Sequence, residues 1–278
     1  MSGPSSSSPS QQELAKEIRE LRARVAAYES SRWWRLHPRV ALRRLRGPGE
    51  RSTDGSGARE PSYPLDFTDE DRELCTRVAP YTMTTPPRVH ALARTVEYVV
   101  DSRVPGALVE CGVWRGGSMM AAALTLLRLG VTDRELWLYD TYAGMTEPTP
   151  EDVLHTGEAA EAPRPWEPAG LEEVREAVLG TGYPADRVHF VVGPVEETVP
   201  GRVPDEIALL RLDTDWYAST KHELVHLYPR LVPHGVLLVD DYGYWKGQRQ
   251  AVDEYLAENG VSLLLTRIDH SARIAVKL

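Results

Sequence analysis

Two apolar runs that end in acidic residues constrain the fold of this chain more than any other feature. One run ends at Asp213 and Asp215, and the other ends at Asp240 and Asp241. Short apolar runs bounded by polar residues are typical of buried parallel strands, and ligands of open α/β sheets bind beyond the carboxyl ends of such strands. The sequence therefore predicts an α/β fold with a ligand site beside these acids.

Four carboxylates at one edge of a sheet predict a metal ion. Asp213 and Asp215 are two positions apart and therefore share a face of an extended chain. Carboxylates that lie close together repel one another, and a hard divalent cation with oxygen ligands, Mg²⁺ above all, relieves that repulsion. The alternative is that the four acids are strand-end caps and solvated turn residues that bind no metal.

The composition restricts the partners of the chain. The formal net charge of the 278 residues is -9, which argues against nucleic acid as a partner because phosphate binding needs a basic face. A small substrate that is uncharged or cationic fits this charge. Cys75 and Cys111 are the two cysteines, and neither has a partner at a spacing typical of metal or redox sites.

The same features bear on the compartment. Two cysteines provide no disulfide framework, which is typical of a reducing environment. No apolar run reaches the roughly 18 residues of a membrane span, and residues 1–10 contain no apolar signal-peptide core. The sequence therefore predicts a cytoplasmic protein without a transmembrane segment.

The composition also changes along the chain and divides it into four parts. Residues 1–10 are rich in serine and predict a disordered tail, and residues 11–46 predict a helical extension. Residues 47–61 are rich in glycine, serine and charged residues and predict a linker. Residues 62–278 then form the predicted catalytic domain.

The predicted extension has two parts with different expected partners. Residues 11–30 place apolar side chains at alternating spacings of four and three, a short coiled-coil pattern that favours a homo-oligomer; a helix packed on its own domain is the alternative. Residues 33–46 begin with Trp33 and Trp34 and are rich in arginine, which predicts an amphipathic segment in contact with an anionic surface. A solvated helix face is the alternative there.

A strand, a glycine-rich turn and a helix follow one another at residues 107–129. The turn contains Gly112, Gly116 and Gly117, which let the backbone approach a ligand, and the helix start offers unpaired N–H groups. The spacing of these glycines differs from G-x-G-x-x-G. It therefore counts against a nicotinamide cofactor.

Two further acids point to a class of cofactor. Glu110 ends the strand before the glycine turn, and Asp140 ends the next predicted strand, where an acid accepts hydrogen bonds from ribose hydroxyls. A nucleoside pocket with two carboxylates and no phosphate-binding lysine suits a ligand that carries positive charge. S-adenosylmethionine, a sulfonium with an amino-acid tail, is such a ligand.

Residues 141–170 have no strong periodicity and predict a long loop. Long loops in compact α/β domains are commonly lids, and we expect this one to cover the substrate, with Tyr142, Met145 and His155 as contacts. An acidic loop that only connects two elements is the alternative. His222 is a further candidate because its predicted helix starts near the acids, and a packed or solvated histidine is the alternative.

The remaining strands complete the predicted sheet. They cover residues 187–192, 206–213, 235–241, 261–268 and 273–278. The last two alternate in polarity and predict a closing antiparallel hairpin.

Ordered motifs over most of the predicted domain carry a resemblance to a known family. They are Y-T-M-T at 81–84, E-C-G-V-W-R-G-G-S at 110–118, Y-D-T-Y-A-G-M at 139–145, T-G-Y-P at 181–184, L-D-T-D-W-Y-A-S-T at 212–220 and V-D-D-Y-G at 239–243. Through these motifs, residues 81–255 resemble the macrocin O-methyltransferase family, whose members use S-adenosylmethionine and a metal to methylate sugar hydroxyls of bacterial natural products.

The resemblance implies a fold and a set of site residues. The implied fold is the Rossmann-like class I methyltransferase fold, a mostly parallel seven-stranded sheet with an antiparallel C-terminal hairpin. Asp213, Asp240 and Asp241 are the implied metal ligands, and Asp215 is the implied candidate for the general base. Apart from the resemblance, His222 or solvent is the alternative for that role. The implied cofactor contacts are Glu110, Gly112, Ser118 and Asp140, then Thr82, Met83 and Gly193, with Asp213 shared between cofactor and metal.

Two departures from the family bear on the acceptor. The family more often has Phe where this chain has Tyr142, and Gly where it has Thr214. The implied activity is O-methylation of a (deoxy)sugar on a glycosylated small molecule. Two rivals are a catechol or phenol O-methyltransferase that uses the same metal chemistry, and a non-catalytic assembly protein.

Overall fold

The computed structural model describes residues 63–157 and 168–278. The predictions for the tail, the helical extension and the linker lie outside these residues, and so does part of the predicted lid, residues 158–167. Within the described ranges, no helix is long and apolar enough to cross a membrane.

Helices and strands alternate along most of the described chain. The helices are α1 (Asp69–Val78), α2 (Pro86–Asp101), α3 (Gly117–Arg128), α4 (Leu171–Leu179), α5 (Val195–Thr198), α6 (Tyr217–Leu227) and α7 (Lys246–Glu258). The strands are β1 (Ala107–Cys111), β2 (Leu136–Asp140), β3 (Val188–Val192), β4 (Ile207–Leu212), β5 (Leu231–Val239), β6 (Thr266–Arg267) and β7 (Arg273–Val276).

The seven strands form one mixed sheet in the order β3-β2-β1-β4-β5-β7-β6. Strands β1 to β5 pair in parallel, and β7 is antiparallel to both of its neighbours. The fold prediction, a mostly parallel sheet with an antiparallel C-terminal hairpin, is confirmed.

Hydrophobic clusters cover both faces of the sheet. Along β1, Leu108 belongs to the cluster that contains Leu92 of α2, whereas Val109 belongs to the cluster that contains Leu224 of α6. All five residues of β1 are buried, as expected for a parallel strand that is covered on both faces. The open ends of the strands are therefore the available place for a polar site.

The C-terminal hairpin is shorter than predicted. The sequence pattern predicts a strand over residues 261–268, but β6 has only two residues. Val261 instead closes the end of α7, because its N–H donates to the carbonyl of Leu256 at 2.8 Å, and Val261, Leu263 and Leu265 pack against the core. Alternating polarity here reflects partial burial of an irregular segment.

Gly112 brings β1 against the end of β4. It has φ +83°, and a Cβ atom at this position would lie 2.1 Å from the carbonyl oxygen of Asp213. A side chain would therefore need both a strained backbone and a shift of the chain that carries the first acidic motif.

We expect Gly112→Ala to lower the free energy of unfolding by about 3 kcal/mol or more, because strain and steric overlap add. Gly130→Ala is the matched control, since Gly130 has φ +73° and nothing within 4 Å of its hypothetical Cβ. That control isolates the cost of the left-handed backbone, about 1–2 kcal/mol. Urea unfolding of both variants measures the difference. Equal losses would show that the contact with Asp213 does not constrain residue 112.

Candidate active site

The two acidic motifs meet at the carboxyl edge of the sheet. In the parallel pair of β4 and β5, Leu212 is in register with Val239, so the residue after each strand lies at the same level. The N–H of Asp240 donates to the carbonyl of Leu212 at 3.0 Å, and the N–H of Asp213 donates to that of Cys111 at 2.8 Å. The ends of β1, β4 and β5 are thus tied together.

Three of the predicted acids form a compact group. Asp213, Asp215 and Asp241 each offer one carboxylate oxygen, and these three oxygens lie within 4.8 Å of one another. All three residues are half-buried. Asp215 reaches the group from a left-handed backbone conformation, φ +67°, which aspartate tolerates better than most residues. Three half-buried carboxylates at this separation suit a hard cation.

Arg211 lies beneath the three-acid group and is almost fully buried. Its Nη1 donates to Glu110 Oε1 at 2.5 Å and to Asp213 Oδ2 at 2.7 Å, and its Nη2 donates to Asp240 Oδ1 at 2.7 Å. One guanidinium therefore joins acids that follow or end three neighbouring strands. Arg211 was not predicted as a site residue, although a charged residue inside an otherwise apolar strand was the available signal.

A second buried arginine, Arg88 on α2, joins Asp240 to the C-terminal hairpin. It is paired with Asp240 Oδ2, and its Nε donates to Asp269 Oδ2 at 2.8 Å. Both carboxylate oxygens of Asp240 thus have an arginine partner, and Asp240 is not part of the three-acid group. No local sequence pattern predicted a role for Arg88, because its partners Asp240 and Asp269 are 152 and 181 residues away along the chain.

Burial and mutual repulsion make protons bind more readily to the three-acid group. Burial raises the pKa of Asp213, Asp215 and Asp241. For Asp215, the neighbouring charges of Asp241 and Asp213 raise the pKa further; for Asp213, Arg211 opposes the increase. The group is therefore short of positive charge even with two arginines nearby.

The predicted cofactor acids lie at the ends of β1 and β2. Glu110 is 1% exposed, and burial raises its pKa to about 7 against the opposing charge of Arg211. Its Oε2 has no hydrogen-bond partner among the described residues. Asp140 closes the glycine turn, since its Oδ2 accepts hydrogen bonds from the N–H groups of Val113 at 2.7 Å and Trp114 at 3.0 Å.

The other predicted cofactor residues surround the same turn. Ser118 is buried at the start of α3, and Gly117 has no room for a side chain because a Cβ would lie 2.6 Å from Thr82 Cβ. Met83, next to Thr82, is 55% exposed. Gly193 follows β3 with φ +130°, and its N–H donates to the carbonyl of Asp140 at 3.0 Å. The structure brings all of these residues to one edge of the sheet.

A family model described as Macrocin-O-methyltransferase (TylF) matches residues 56–275. The chain belongs to the macrocin O-methyltransferase family. It is thus an S-adenosylmethionine-dependent O-methyltransferase, and the predicted family and enzyme class are confirmed.

Named relatives and a solved structure show what this chain is similar to. It is 36% identical over 213 residues to 8-demethyl-8-(2,3-dimethoxy-alpha-L-rhamnosyl)-tetracenomycin-C 4'-O-methyltransferase of Streptomyces olivaceus, covering 72% of this chain and 78% of that protein. It is 34% identical over 197 residues to mycinamicin III 3''-O-methyltransferase of Micromonospora griseorubida, covering 68% and 75%. The solved structure of the O-methyltransferase NovP matches with a TM-score of 0.64 and 31% identity, covering 71% of this chain and 82% of that one.

The predicted substrate contacts of the methyltransferase lie in different surroundings. Tyr142 is turned into the core, where its hydroxyl donates to the carbonyl of Leu138 at 3.1 Å and burial raises its pKa. Met145 is 39% exposed. His155 lies 3.3 Å from the carbonyl of Tyr242, just beyond the second acidic motif. Met145 and His155 are therefore exposed, whereas the Tyr142 side chain is buried, and the substrate contacts stay a prediction.

His222, the substitute base, does not join the acids of the methyltransferase. Its Nε2 lies 2.8 Å from the carbonyl of Val199, and its ring packs against that of His226 with centroids 4.4 Å apart. A histidine that is engaged by a carbonyl on one side and a ring on the other fits the packed alternative.

One buried acid near the site, Glu223, was not predicted from the sequence. Glu223 on α6 is fully buried, burial raises its pKa, and its Oε1 accepts a hydrogen bond from the Thr214 hydroxyl at 2.9 Å. Thr214 is the residue between Asp213 and Asp215, so α6 holds the middle of the first acidic motif. Nothing in the helical spacing distinguishes Glu223 from a solvated acid.

Proposed function

We propose that this methyltransferase is metal-dependent and transfers a methyl group to a hydroxyl of a (deoxy)sugar on a natural product. The three-acid group at the carboxyl edge of the sheet carries the proposal, because it joins a cation site to the predicted cofactor pocket through Arg211 and Glu110. The named activities of the relatives from Streptomyces olivaceus and Micromonospora griseorubida support the acceptor class.

The chain has hydrogen-bond acceptors that suit S-adenosylmethionine. Glu110 Oε2 is a buried carboxylate oxygen with no hydrogen-bond partner in residues 63–157 and 168–278, and it can receive a hydrogen bond from a ligand. Gly112 and Gly116 both have positive φ, and their missing side chains leave room for Asp213 and for Val174 and Val178 of α4. We propose that Glu110, Asp140 and this turn hold the cofactor, which supplies an electrophilic methyl group.

The chain also has the oxygen donors that Mg²⁺ prefers. Asp213 and Asp241 face each other across the strand ends, and each keeps carboxylate lone pairs beyond those that the arginines engage. Asp240 stays a predicted third ligand, because an oxygen that accepts one arginine hydrogen bond has a second lone pair. When bound, the ion supplies a Lewis acid that lowers the pKa of an acceptor hydroxyl.

Asp215 is the group that would take the proton from the acceptor. Its position in the three-acid group puts a carboxylate oxygen next to the proposed cation site. Its raised pKa makes the carboxylate a stronger base than an exposed aspartate, and general bases of this kind contribute about 10²–10⁴-fold to rate. In this proposal Asp213 and Asp241 hold the cation, and Asp215 removes the proton of the acceptor hydroxyl.

Metal removal tests the proposal. After EDTA treatment we expect methyl transfer from S-adenosylmethionine to a deoxysugar glycoside to stop, and Mg²⁺ to restore it. Mg²⁺ should bind more tightly as pH rises, since the protons that the raised pKa values retain must leave first. Product formation and isothermal titration measure both effects. Full turnover after EDTA treatment refutes the metal role, and methylation of catechol alone refutes the acceptor class.

A further inference from the structure

Helices α6 and α7 each begin just after an acidic motif and lack a local cap. Their N-cap residues are Trp216 and Trp245, whose side chains make no capping hydrogen bond. Helix starts leave backbone N–H groups without intrahelical partners, and these groups normally find an oxygen acceptor nearby. The acceptors must therefore come from elsewhere in the chain.

Two consecutive residues of the segment after β2 supply these acceptors. Asp152 Oδ1 accepts a hydrogen bond from the N–H of Tyr217 at 2.7 Å, and the carbonyl of Val153 accepts one from the N–H of Lys246 at 2.8 Å. Tyr217 and Lys246 are the first residues of α6 and α7. A single dipeptide thus caps the two helices that follow the two acidic motifs.

Asp152 is firmly held in this position. It is 1% exposed, and its Oδ2 accepts hydrogen bonds from both the N–H and the hydroxyl of Thr149 at 2.8 Å. Gly247 makes room for it, since a Cβ there would lie 2.1 Å from Asp152 Oδ1. A carboxylate beside helix N-termini is also stabilised by the helix dipoles.

Each capped helix in turn holds its own acidic motif. On α6, Glu223 accepts the hydrogen bond from Thr214 at 2.9 Å. On α7, Gln248 Oε1 accepts a hydrogen bond from the N–H of Asp241 at 2.7 Å. The positions of the two helix starts therefore set how the motifs face each other.

Other residues of the segment after β2 contact residues that lie next to the starts of α6 and α7. Trp216 Nε1 donates to the carbonyl of Thr146 at 2.9 Å, and the N–H of His155 donates to the carbonyl of Tyr244 at 3.1 Å. The rings of Trp216 and Trp245 are 5.1 Å apart. Residues 146–155 thus form a wall next to both acidic motifs.

We propose that Asp152 is a positioning residue of this methyltransferase. It fixes the starts of α6 and α7, and thereby the separation of Asp215 from Asp241, and it holds the wall of residues 146–155 beside the acceptor. Asp152 acts through these elements and touches no reacting group. The inference rests on the proposed function, because it assigns the acceptor and the cation to the three-acid group.

A matched pair of substitutions at Tyr217 isolates the hydrogen bond to Asp152. Proline fits the first position of a helix, and Trp216 has ψ 154°, which suits a residue before proline. Tyr217→Pro removes the N–H and places a ring carbon against Asp152, whereas Tyr217→Ala keeps the N–H. Both variants lose the hydrogen bond from the Tyr217 hydroxyl to Glu254, so this loss cancels in the comparison.

Relative to Tyr217→Ala, we expect Tyr217→Pro to raise the KM for the acceptor and the Kd for Mg²⁺ by about tenfold or more, since small displacements of positioned groups cost large factors. The Kd for S-adenosylmethionine should stay within about twofold, because Glu110, Asp140 and Ser118 lie on β1, β2 and α3, away from the starts of α6 and α7. Asp152→Ala should reproduce this pattern, and Asp152→Asn should restore most of the acceptor affinity by keeping an oxygen for Tyr217.

Equal KM and Kd values in the two Tyr217 variants overturn the inference. A parallel loss of S-adenosylmethionine binding also overturns it, because that result indicates a general structural role. If Tyr217→Pro does not fold, the comparison of Asp152→Asn with Asp152→Ala decides instead. If the wild-type enzyme needs no Mg²⁺, the proposed metal role fails, whereas the acceptor KM still tests the role of Asp152.

Discussion

Asp215→Asn is expected to lower kcat by about 10²–10⁴-fold while leaving the Kd for S-adenosylmethionine unchanged. The amide cannot accept the proton of the acceptor hydroxyl, but it has the size of the carboxylate. Asparagine also tolerates the left-handed backbone that residue 215 adopts, φ +67°, so the loop keeps its conformation. Single-turnover methyl transfer at saturating Mg²⁺ measures the rate directly.

The pH dependence separates proton transfer from a loss of metal binding. Below its pKa, Asp215 is protonated and cannot act as a base, so the wild-type rate falls as pH decreases. Burial and the neighbouring acids raise the pKa of Asp215 and a bound cation lowers it, so this acidic limb is recorded at saturating Mg²⁺. The limb should disappear in Asp215→Asn.

His222→Gln is the control for this prediction. The His222 ring contacts Val199 and His226, and we expect its replacement to leave the pH profile unchanged. A profile that changes in His222→Gln and not in Asp215→Asn would move the role of base to the histidine.

The fold was largely readable from the sequence because local patterns determine it. The apolar runs that end at Asp213 and Asp240 are strands, and the register of Leu212 with Val239 brings their ends together. Among the described residues the final hairpin differed most, since alternating polarity over residues 261–268 arises from partial burial and not from strand pairing. Local periodicity reports which side chains are buried, and it does not report which backbone groups are paired.

The acidic residues of the site could be predicted from the sequence, but the residues that hold these acids in place could not. Arg88 reaches Asp269 across 181 positions, and Asp152 reaches Tyr217 across 65. Such contacts depend on how elements pack, for which a single sequence carries no local signal. Tyr142 shows the converse, because its place in the predicted lid favoured a substrate contact, whereas the structure buries its ring and pairs its hydroxyl with Leu138.

Arg211→Met is expected to lower the free energy of unfolding by about 3–5 kcal/mol at neutral pH, because it leaves Glu110, Asp213 and Asp240 without the guanidinium they share. Methionine fills similar volume, so the effect reports mainly the uncompensated charge. Denaturant unfolding with S-adenosylmethionine omitted measures it, because ligand binding would add its own stabilisation.

Added Mg²⁺ tests whether the loss of stability in Arg211→Met arises at the carboxylates that Arg211 contacts. The ion supplies positive charge to the same carboxylates, so saturating Mg²⁺ should stabilise the variant, by about 2.7 kcal/mol at a hundred times its Kd. Arg128→Met is the matched control: Arg128 pairs with Glu97 at the surface and is 42% exposed, so its loss should cost less than about 1 kcal/mol and leave the stabilisation by Mg²⁺ equal to that of the wild-type protein. Two results would contradict this prediction: an equal loss of unfolding free energy in the two variants, or an Arg211→Met variant that Mg²⁺ does not stabilise. Either result would mean that Arg211 and the cation do not neutralise the same acids.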